Sequence, residues 1–161
     1  MIKKIILTIG LAMGLTSSYA GVTTNSLFSA NEASLSLASG YSFGGRNSFN
    51  LSAGAQYMVL NWLGADVSLP LYQEHGVSVD SISLGGVGRL VLTDRLALVG
   101  RAGAFYNWVD EKFSGYFATG PEYRLGKAVG IFANAQYRYP NFDNFTHGEW
   151  SAVAGLRFVL K

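Results

Sequence analysis

The chain has 161 residues, of which 14% are charged and 14% aromatic, with 20 glycines and no cysteine. The lack of cysteine excludes disulfides, thiolate nucleophiles and cysteine-based metal sites. The charged fraction is well below the ~25% of soluble globular domains. Lys3 and Lys4, which account for the formal charge of +2, lie in a segment that we expect to be removed. The neutral remainder offers no basic face, so the sequence predicts no nucleic-acid partner.

The first residues have the layout of a secretory signal peptide. Lys3 and Lys4 precede an apolar run from Ile5 to Leu15, and small and polar residues follow up to Ala20. The apolar run is short for the ~20 residues of a membrane-spanning helix. We therefore expect a cleaved signal peptide at 1–20, a short N-terminal periplasmic segment at 21–31 and a folded domain at 32–161.

After this segment, apolar and polar residues alternate with a period of two, which is typical of β-strands with one apolar face. The alternation predicts eight strands at 33–43, 49–59, 62–72, 81–92, 96–107, 115–125, 129–139 and 149–160. Tight turns and longer loops alternate between them. An even number of strands of this length, joined in this way, is typical of a transmembrane β-barrel.

The composition of the polar face indicates which face points outward. A soluble barrel that holds a ligand would carry many charges on its outer face, but here the polar face is mostly Ser, Gly, Ala, Asn and Gln. Small residues suit the narrow interior of an eight-stranded barrel, and aromatic residues lie near strand ends, as in interfacial girdles. The sequence thus predicts an all-β, eight-stranded, antiparallel, up-and-down transmembrane barrel with its apolar face toward lipid.

The last strand ends with a glycine followed by alternating hydrophobic positions, Gly155, Phe158 and Leu160 among them. With the strand pattern, this ending makes the chain resemble the small eight-stranded outer-membrane proteins, namely the OmpA transmembrane domain and the OmpX/Ail group. The resemblance implies that these residues form the signal read by the barrel-assembly machinery. It also implies contact with outer-membrane lipids and lipopolysaccharide. Lys161 follows where the family usually ends on an aromatic residue.

Glycine and proline mark positions inside the predicted strands. Gly85, Gly86 and Gly88 lie within one strand, so we interpret them as close-packing positions rather than a phosphate-binding loop. Pro121 would remove a hydrogen bond from the ladder of a closed barrel. We therefore expect a bulge at Pro121 or a strand that starts late.

Eight charged residues fall on the inward face of the predicted strands, where a narrow lumen requires that they be paired. They are Asp66, Arg89, Arg101, Glu122, Arg124, Arg138, Glu149 and Arg157. They are interpreted as structural pairs that fill the lumen, with a gated ion or proton path as the alternative. Folding the last hairpin about its loop predicts a salt bridge between Arg138 and Glu149 near the extracellular mouth.

Four of these charges are predicted to lie at similar levels in the middle of the lumen. Folding each hairpin about its turn pairs Asp66 with Arg89 and Arg101 with Glu122, or joins all four in one network. Such a network would plug the barrel, because an eight-stranded lumen holds side chains and little more.

Three functions fit this pattern: a structural or surface-interaction role, a small gated channel, and a lipid A-modifying enzyme. An enzyme needs a nucleophile, a base and an orienting group. Both histidines, His75 and His147, lie in predicted loops. Gly148 and Glu149 follow His147, so the His-x-Ser spacing of lipid A deacylases is absent. We predict a non-enzymatic, monomeric barrel without cofactor or metal, with loops available to host or cell-surface ligands.

Overall fold

The computed structural model describes residues 26–43, 48–72, 79–109, 111–139 and 148–160. All eight predicted strands are present, and their ends differ from the predicted ends by at most three residues. The strands are β1 (Glu32–Phe43), β2 (Ser48–Met58), β3 (Leu63–Tyr72), β4 (Ser81–Val91), β5 (Leu96–Asn107), β6 (Lys112–Arg124), β7 (Val129–Tyr139) and β8 (Glu149–Leu160). No helix in the described ranges is long and apolar enough to cross a membrane.

Each strand pairs antiparallel with the next, and β8 pairs with β1, which closes the barrel. Closure leaves no strand with an unpaired edge. The short turns 59–62, 92–95 and 125–128 lie at one end, together with the start of β1 and the end of β8. We call this the turn end, and the opposite end, from which the other four connections leave, the loop end.

The apolar face of the strands points outward, as the alternation predicts. Leu37, Leu84 and Leu156 on this face are 50%, 59% and 44% exposed, whereas Ser34 and Gln56 on the opposite face are buried. The pleat of a strand alternates side chains between its faces, so one parity lines the lumen and the other forms the outer surface.

Aromatic side chains cluster on the outer surface toward the loop end. The ring centroids of Tyr137 and Trp150 are 4.9 Å apart, and Phe117 lies 5.4 Å from Tyr137. Tyr106 and Phe113 form a second pair at 4.5 Å. Amphipathic rings in this position are typical of the interfacial girdles of membrane barrels.

The expectation of a bulge or a late strand start at Pro121 is wrong. β6 keeps one register with β7 on both sides of Pro121, which itself lies opposite Leu98 of β5. Between Gly115 and Arg124, only Gly120 and Pro121 are missing from the pairing with β7, because a proline ring removes one N–H without changing the register. The register shift of β2 with β3 lies between Leu51 and Ser52.

Candidate functional site

The eight charged side chains that the sequence predicts to face inward do line the lumen. They form three groups along it. The group at the turn end comprises Arg89, Glu122, Arg124 and Arg157. Asp66 and Arg101 lie farther along the lumen. Arg138 and Glu149 lie toward the loop end.

The turn-end group is completed by Glu32 of β1, and we call these five residues the arginine–glutamate cluster. Arg89 Nη2 donates to Glu32 Oε1 at 3.0 Å, and Arg124 Nη2 donates to the same oxygen. Arg124 Nε lies 2.9 Å from Glu122 Oε1, and Arg157 Nε lies 3.1 Å from Glu122 Oε2. All five side chains are at most 3% exposed. Such charges are tolerated in a lumen only when they are paired.

The contacts with Glu122 differ in kind from those with Glu32. Arg124 and Arg157 approach Glu122 within ion-pair distance, but their N–H groups do not point at its oxygens. Arg157 Nη1 instead donates to Gln56 Oε1 at 2.6 Å, and also to Ser34. Arg157 therefore links β8 to β1 and β2 by hydrogen bonds, and to β6 through charge alone.

The chain just before β1 covers the turn end of the lumen. The Phe28 ring is 5% exposed, and it lies 4.9 Å from the Arg89 guanidinium and 5.0 Å from that of Arg124. Leu27 N donates to the carbonyl oxygen of Asp94 at 3.0 Å, which fixes the segment to the turn between β4 and β5. Phe28 therefore shields the cluster from solvent through cation–π contact.

Asp66 lies opposite Gly85 in the register of β3 with β4, so the predicted pair of Asp66 with Arg89 is wrong. Tyr116 donates to Asp66 Oδ1 at 3.3 Å, and Arg89 binds Glu32. Gly85 makes room for this contact, since a Cβ there would lie 2.3 Å from the Tyr116 hydroxyl. The close-packing interpretation is thereby confirmed for Gly85, but it is wrong for Gly86 and Gly88, where a Cβ would meet nothing within 4 Å.

The predicted pair of Arg101 with Glu122 is also wrong, because Arg101 lies opposite Ala118 and Glu122 binds Arg124 and Arg157. The four charges therefore do not share one network among the described residues. Strands in a barrel are staggered and tilted, so residues that a symmetric fold of each hairpin puts level are offset. The ion pairs consequently join strands across the lumen.

Arg138 and Glu149 lie directly opposite each other on β7 and β8, as predicted, and both line a cavity of about 140 Å³ toward the loop end. The predicted salt bridge is not among the ion pairs within 4.0 Å that join the described residues. Arg138 instead lies over the ring of Phe105, with its guanidinium carbon 4.1 Å from the centroid. Cation–π contact of this kind can hold an arginine in place of an ion pair.

A second cavity, of about 70 Å³, lies deeper in the lumen, between Asp66 and Arg101 on one side and Arg157 on the other. Both cavities are lined by Ser52, Ser68 and other small polar side chains. At the ~30 Å³ that one water occupies in the liquid, the two together have room for on the order of seven water molecules. The upper lumen is therefore polar and hydrated, whereas the turn end is filled by side chains.

Glu32, Phe28 and Tyr116 are lumen residues that the sequence reasoning missed. Glu32 has the same parity as Ser34, so extending the alternation by one residue would have placed it inside. Tyr116 likewise has the inward parity of β6 but was not recognised as a partner for a charge. No sequence signal identifies Phe28, which precedes the first strand.

The predicted assembly signal lies at the end of β8. Gly155 faces the lumen against β1, where a Cβ would lie 2.3 Å from the carbonyl oxygen of Leu37. Phe158 and Leu160 point outward. In the part of the chain that the structure describes, no three His, Asp or Glu side chains converge to hold a metal ion. His75 and His147 lie outside the described residues.

No protein-family model and no curated protein matches the sequence. Solved structures do match: a de novo designed transmembrane β-barrel has a TM-score of 0.64 at 18% identity, over 81% of this chain and 97% of that one. The N-terminal barrel domain of Pseudomonas aeruginosa OprF has a TM-score of 0.60 at 18% identity, over 82% and 99%. The attachment invasion locus protein Ail of Yersinia pestis has a TM-score of 0.53 at 15% identity, over 81% and 99%.

The fold is that of the small eight-stranded transmembrane β-barrels. At these identities the likeness concerns the fold, and a fold of this kind hosts several functions. The function must therefore be argued from the outer surface and the lumen.

Proposed function

We propose that the chain is a non-enzymatic bacterial outer-membrane β-barrel with a structural or surface-interaction role. One observation carries this proposal: the barrel exposes large apolar side chains outward and turns its charges into the lumen, where five of them form mutual ion pairs. A band of apolar residues around a closed barrel suits lipid, because closure pairs the backbone hydrogen-bonding groups of every strand and leaves no unpaired edge in the membrane. The similarity to OprF and Ail supports the same location.

In this proposal, outer-membrane lipids and lipopolysaccharide surround the barrel, and the turn end faces the periplasm. Membrane barrels have short periplasmic turns and longer extracellular loops. The four connections that leave the loop end are then available to host or cell-surface ligands. Cleavage after Ala20 would free the segment that leads to Phe28, and the barrel-assembly machinery would read Gly155, Phe158 and Leu160. The barrel acts as a monomer.

Epitope insertion tests the location and the orientation together. A short peptide tag is inserted either into the connection at 44–47 or into the turn at 92–95, and antibody binding is measured on intact and on permeabilised cells. The proposal expects the first tag to be labelled on intact cells and the second only after permeabilisation. Labelling of both tags only after permeabilisation, with the protein absent from the outer-membrane fraction, would refute it.

A small gated channel is the second candidate, because the two hydrated cavities share lining residues from the loop end to the middle of the lumen. The arginine–glutamate cluster and Phe28 fill the rest of the lumen. We therefore expect planar-bilayer recordings of the purified protein to lack a steady conductance of porin size. A stable open conductance would favour the channel.

Lipid A analysis separates both candidates from an enzyme. The lipid A of cells with and without the protein is compared by mass spectrometry, and the proposal expects identical acylation. Altered acylation that disappears in a His75→Ala, His147→Ala double variant would favour a lipid A-modifying enzyme.

A further inference from the structure

The deep part of the lumen carries more positive than negative charge. Four arginines and three carboxylates surround the cavity of about 70 Å³ and the arginine–glutamate cluster beside it. They are Glu32, Asp66, Arg89, Arg101, Glu122, Arg124 and Arg157. Even with every carboxylate ionised, one positive charge is left without a counter-charge. An unbalanced charge that is buried away from bulk solvent is costly.

The cavity also contains hydrogen-bond donors that no protein acceptor uses. Within the described ranges, Arg101 Nε and Nη2 are buried and have no hydrogen-bond or ion-pair partner. Asn134, in the amide orientation that satisfies both of its ends, accepts from Arg101 Nη1 at 2.9 Å. Arg157 lines the same cavity, but its Nε already lies 3.1 Å from Glu122 Oε2. The cavity therefore has spare N–H donors from Arg101 and a second cationic group, Arg157, on its wall.

We propose that this cavity binds a small monovalent anion of the size of chloride, held by the free N–H donors of Arg101, with Arg157 as a second cation on the cavity wall. The Phe132 ring contacts both guanidinium groups, so the anion lies beside this ring and not in place of it. The anion would supply both the missing acceptor and the missing negative charge. At the ~30 Å³ that one water occupies in the liquid, the cavity holds about two waters, so a halide with one water fits while a larger organic anion does not. Asp66 lines the same cavity and favours a monovalent ion over a multiply charged one.

Water alone is the competing occupant, and it differs from an anion in one respect. Water satisfies N–H donors but cannot neutralise a charge. If water alone fills the cavity, the stability of the barrel does not depend on which salt supplies the ionic strength. An anion that binds the folded barrel and not the unfolded chain stabilises the barrel in proportion to its occupancy.

The test measures the thermal unfolding midpoint of the full-length barrel in a neutral detergent, at constant ionic strength, as sodium chloride replaces sodium gluconate. The wild-type midpoint is expected to rise with chloride and then to level off. Arg101→Gln removes the excess charge and two of the free donors, so the chloride-dependent rise should be lost. The matched control is Arg95→Gln, an exposed arginine in the turn at 92–95, which should keep the full rise.

Crystals of the wild type grown in sodium bromide provide a second test, which does not require that the variant fold. An anomalous peak within hydrogen-bond distance of Arg101 Nε and Nη2 would support the site. Peaks confined to the outer surface, which mean an adventitious ion only, would overturn it. A wild-type midpoint that is the same in chloride and in gluconate would also overturn it, as would an equal rise in both variants.

Discussion

Glu32, the first residue of β1, accepts hydrogen bonds from two buried arginines, Arg89 and Arg124. Its side chain is 3% exposed, so water cannot replace it when it is removed. Removing one partner of a buried ion pair leaves the other charge uncompensated, which costs far more than the pair contributes when intact. The stability of the turn end therefore depends on this single carboxylate.

Glu32→Gln should lower the free energy of unfolding by about 3–5 kcal/mol, because the neutral amide leaves Arg89 without a counter-charge and Arg124 with Glu122 alone. Urea titration of the barrel refolded into phospholipid vesicles measures this loss. Glu111→Gln is the control, since Glu111 is exposed in the connection after β5 and should change little. Equal stability of the two variants would mean that Glu32 does not neutralise the cluster.

Neighbouring glycines on β4 offer a second test at the residue scale. A Cβ on Gly85 would lie 2.3 Å from the Tyr116 hydroxyl, whereas a Cβ on Gly86 meets nothing within 4 Å. Gly85→Ala should destabilise the barrel by about 1–3 kcal/mol through overpacking, and Gly86→Ala should be close to neutral. The same urea titration applies, and a cost at Gly86 as large as that at Gly85 would contradict the packing argument.

At the scale of the elements, each strand has one face in the lumen and one face outside. On β1, Ser34 is buried while Leu37 is 50% exposed. A slip of one residue would exchange the two faces of a strand and turn its charges outward. The inward charges therefore fix the register of strands whose outward faces are uniformly apolar.

Leu37→Arg tests the lipid-facing side of β1. Arginine at the middle of a lipid-facing strand costs about 2–4 kcal/mol, and this cost falls to about 0–1 near the interface. Leu92→Arg is the matched control, because Leu92 is similarly exposed but lies beyond the end of β4. Unfolding in vesicles should separate the two variants, and equal costs would indicate a barrel whose outer surface faces water.

The strands could be predicted from the sequence because the parity of a residue is a local property. Ser34 and Leu37 face opposite sides because they lie an odd number of residues apart in one strand, independently of how that strand pairs. The partners of the charges could not be predicted in the same way. They depend on the stagger accumulated over several strands, which places Asp66 opposite Gly85 and brings Glu32 to Arg89 across the lumen. Phe28 was missed because no strand periodicity reaches it.

At the scale of the whole molecule, the lumen is closed at one end and hydrated toward the other. The cluster and the apolar side chains of Met58, Val87 and Val99 fill the turn end, and Phe28 covers it. The loop-end half holds the two polar cavities. The lumen is thus a polar cavity whose floor, at the turn end, is formed by the cluster, these apolar side chains and Phe28, rather than an open tube.

The lack of cysteine in the chain allows this floor to be tested by thiol labelling. Ala97 is fully buried and has the inward parity of β5, so in an Ala97→Cys variant the new thiol should resist a water-soluble reagent. Adding Phe28→Ala should expose it and speed labelling. Leu92→Cys, on the outside of the barrel, is the control and should label quickly with or without Phe28→Ala. Fast labelling of Ala97→Cys with Phe28 intact would show that Phe28 does not close the turn end.

The pairing of β8 with β1 also has a consequence for the folding rate. The hydrogen bonds of Arg157 with Ser34 and Gln56 join residues 123 and 101 positions apart. Contacts this distant carry a high entropic cost of loop closure and slow folding, whereas adjacent hairpins form from local contacts. We expect the hairpins to form early and closure to set the rate. Glu122 of β6 therefore gains its second arginine, Arg157, only when the last strand pairs.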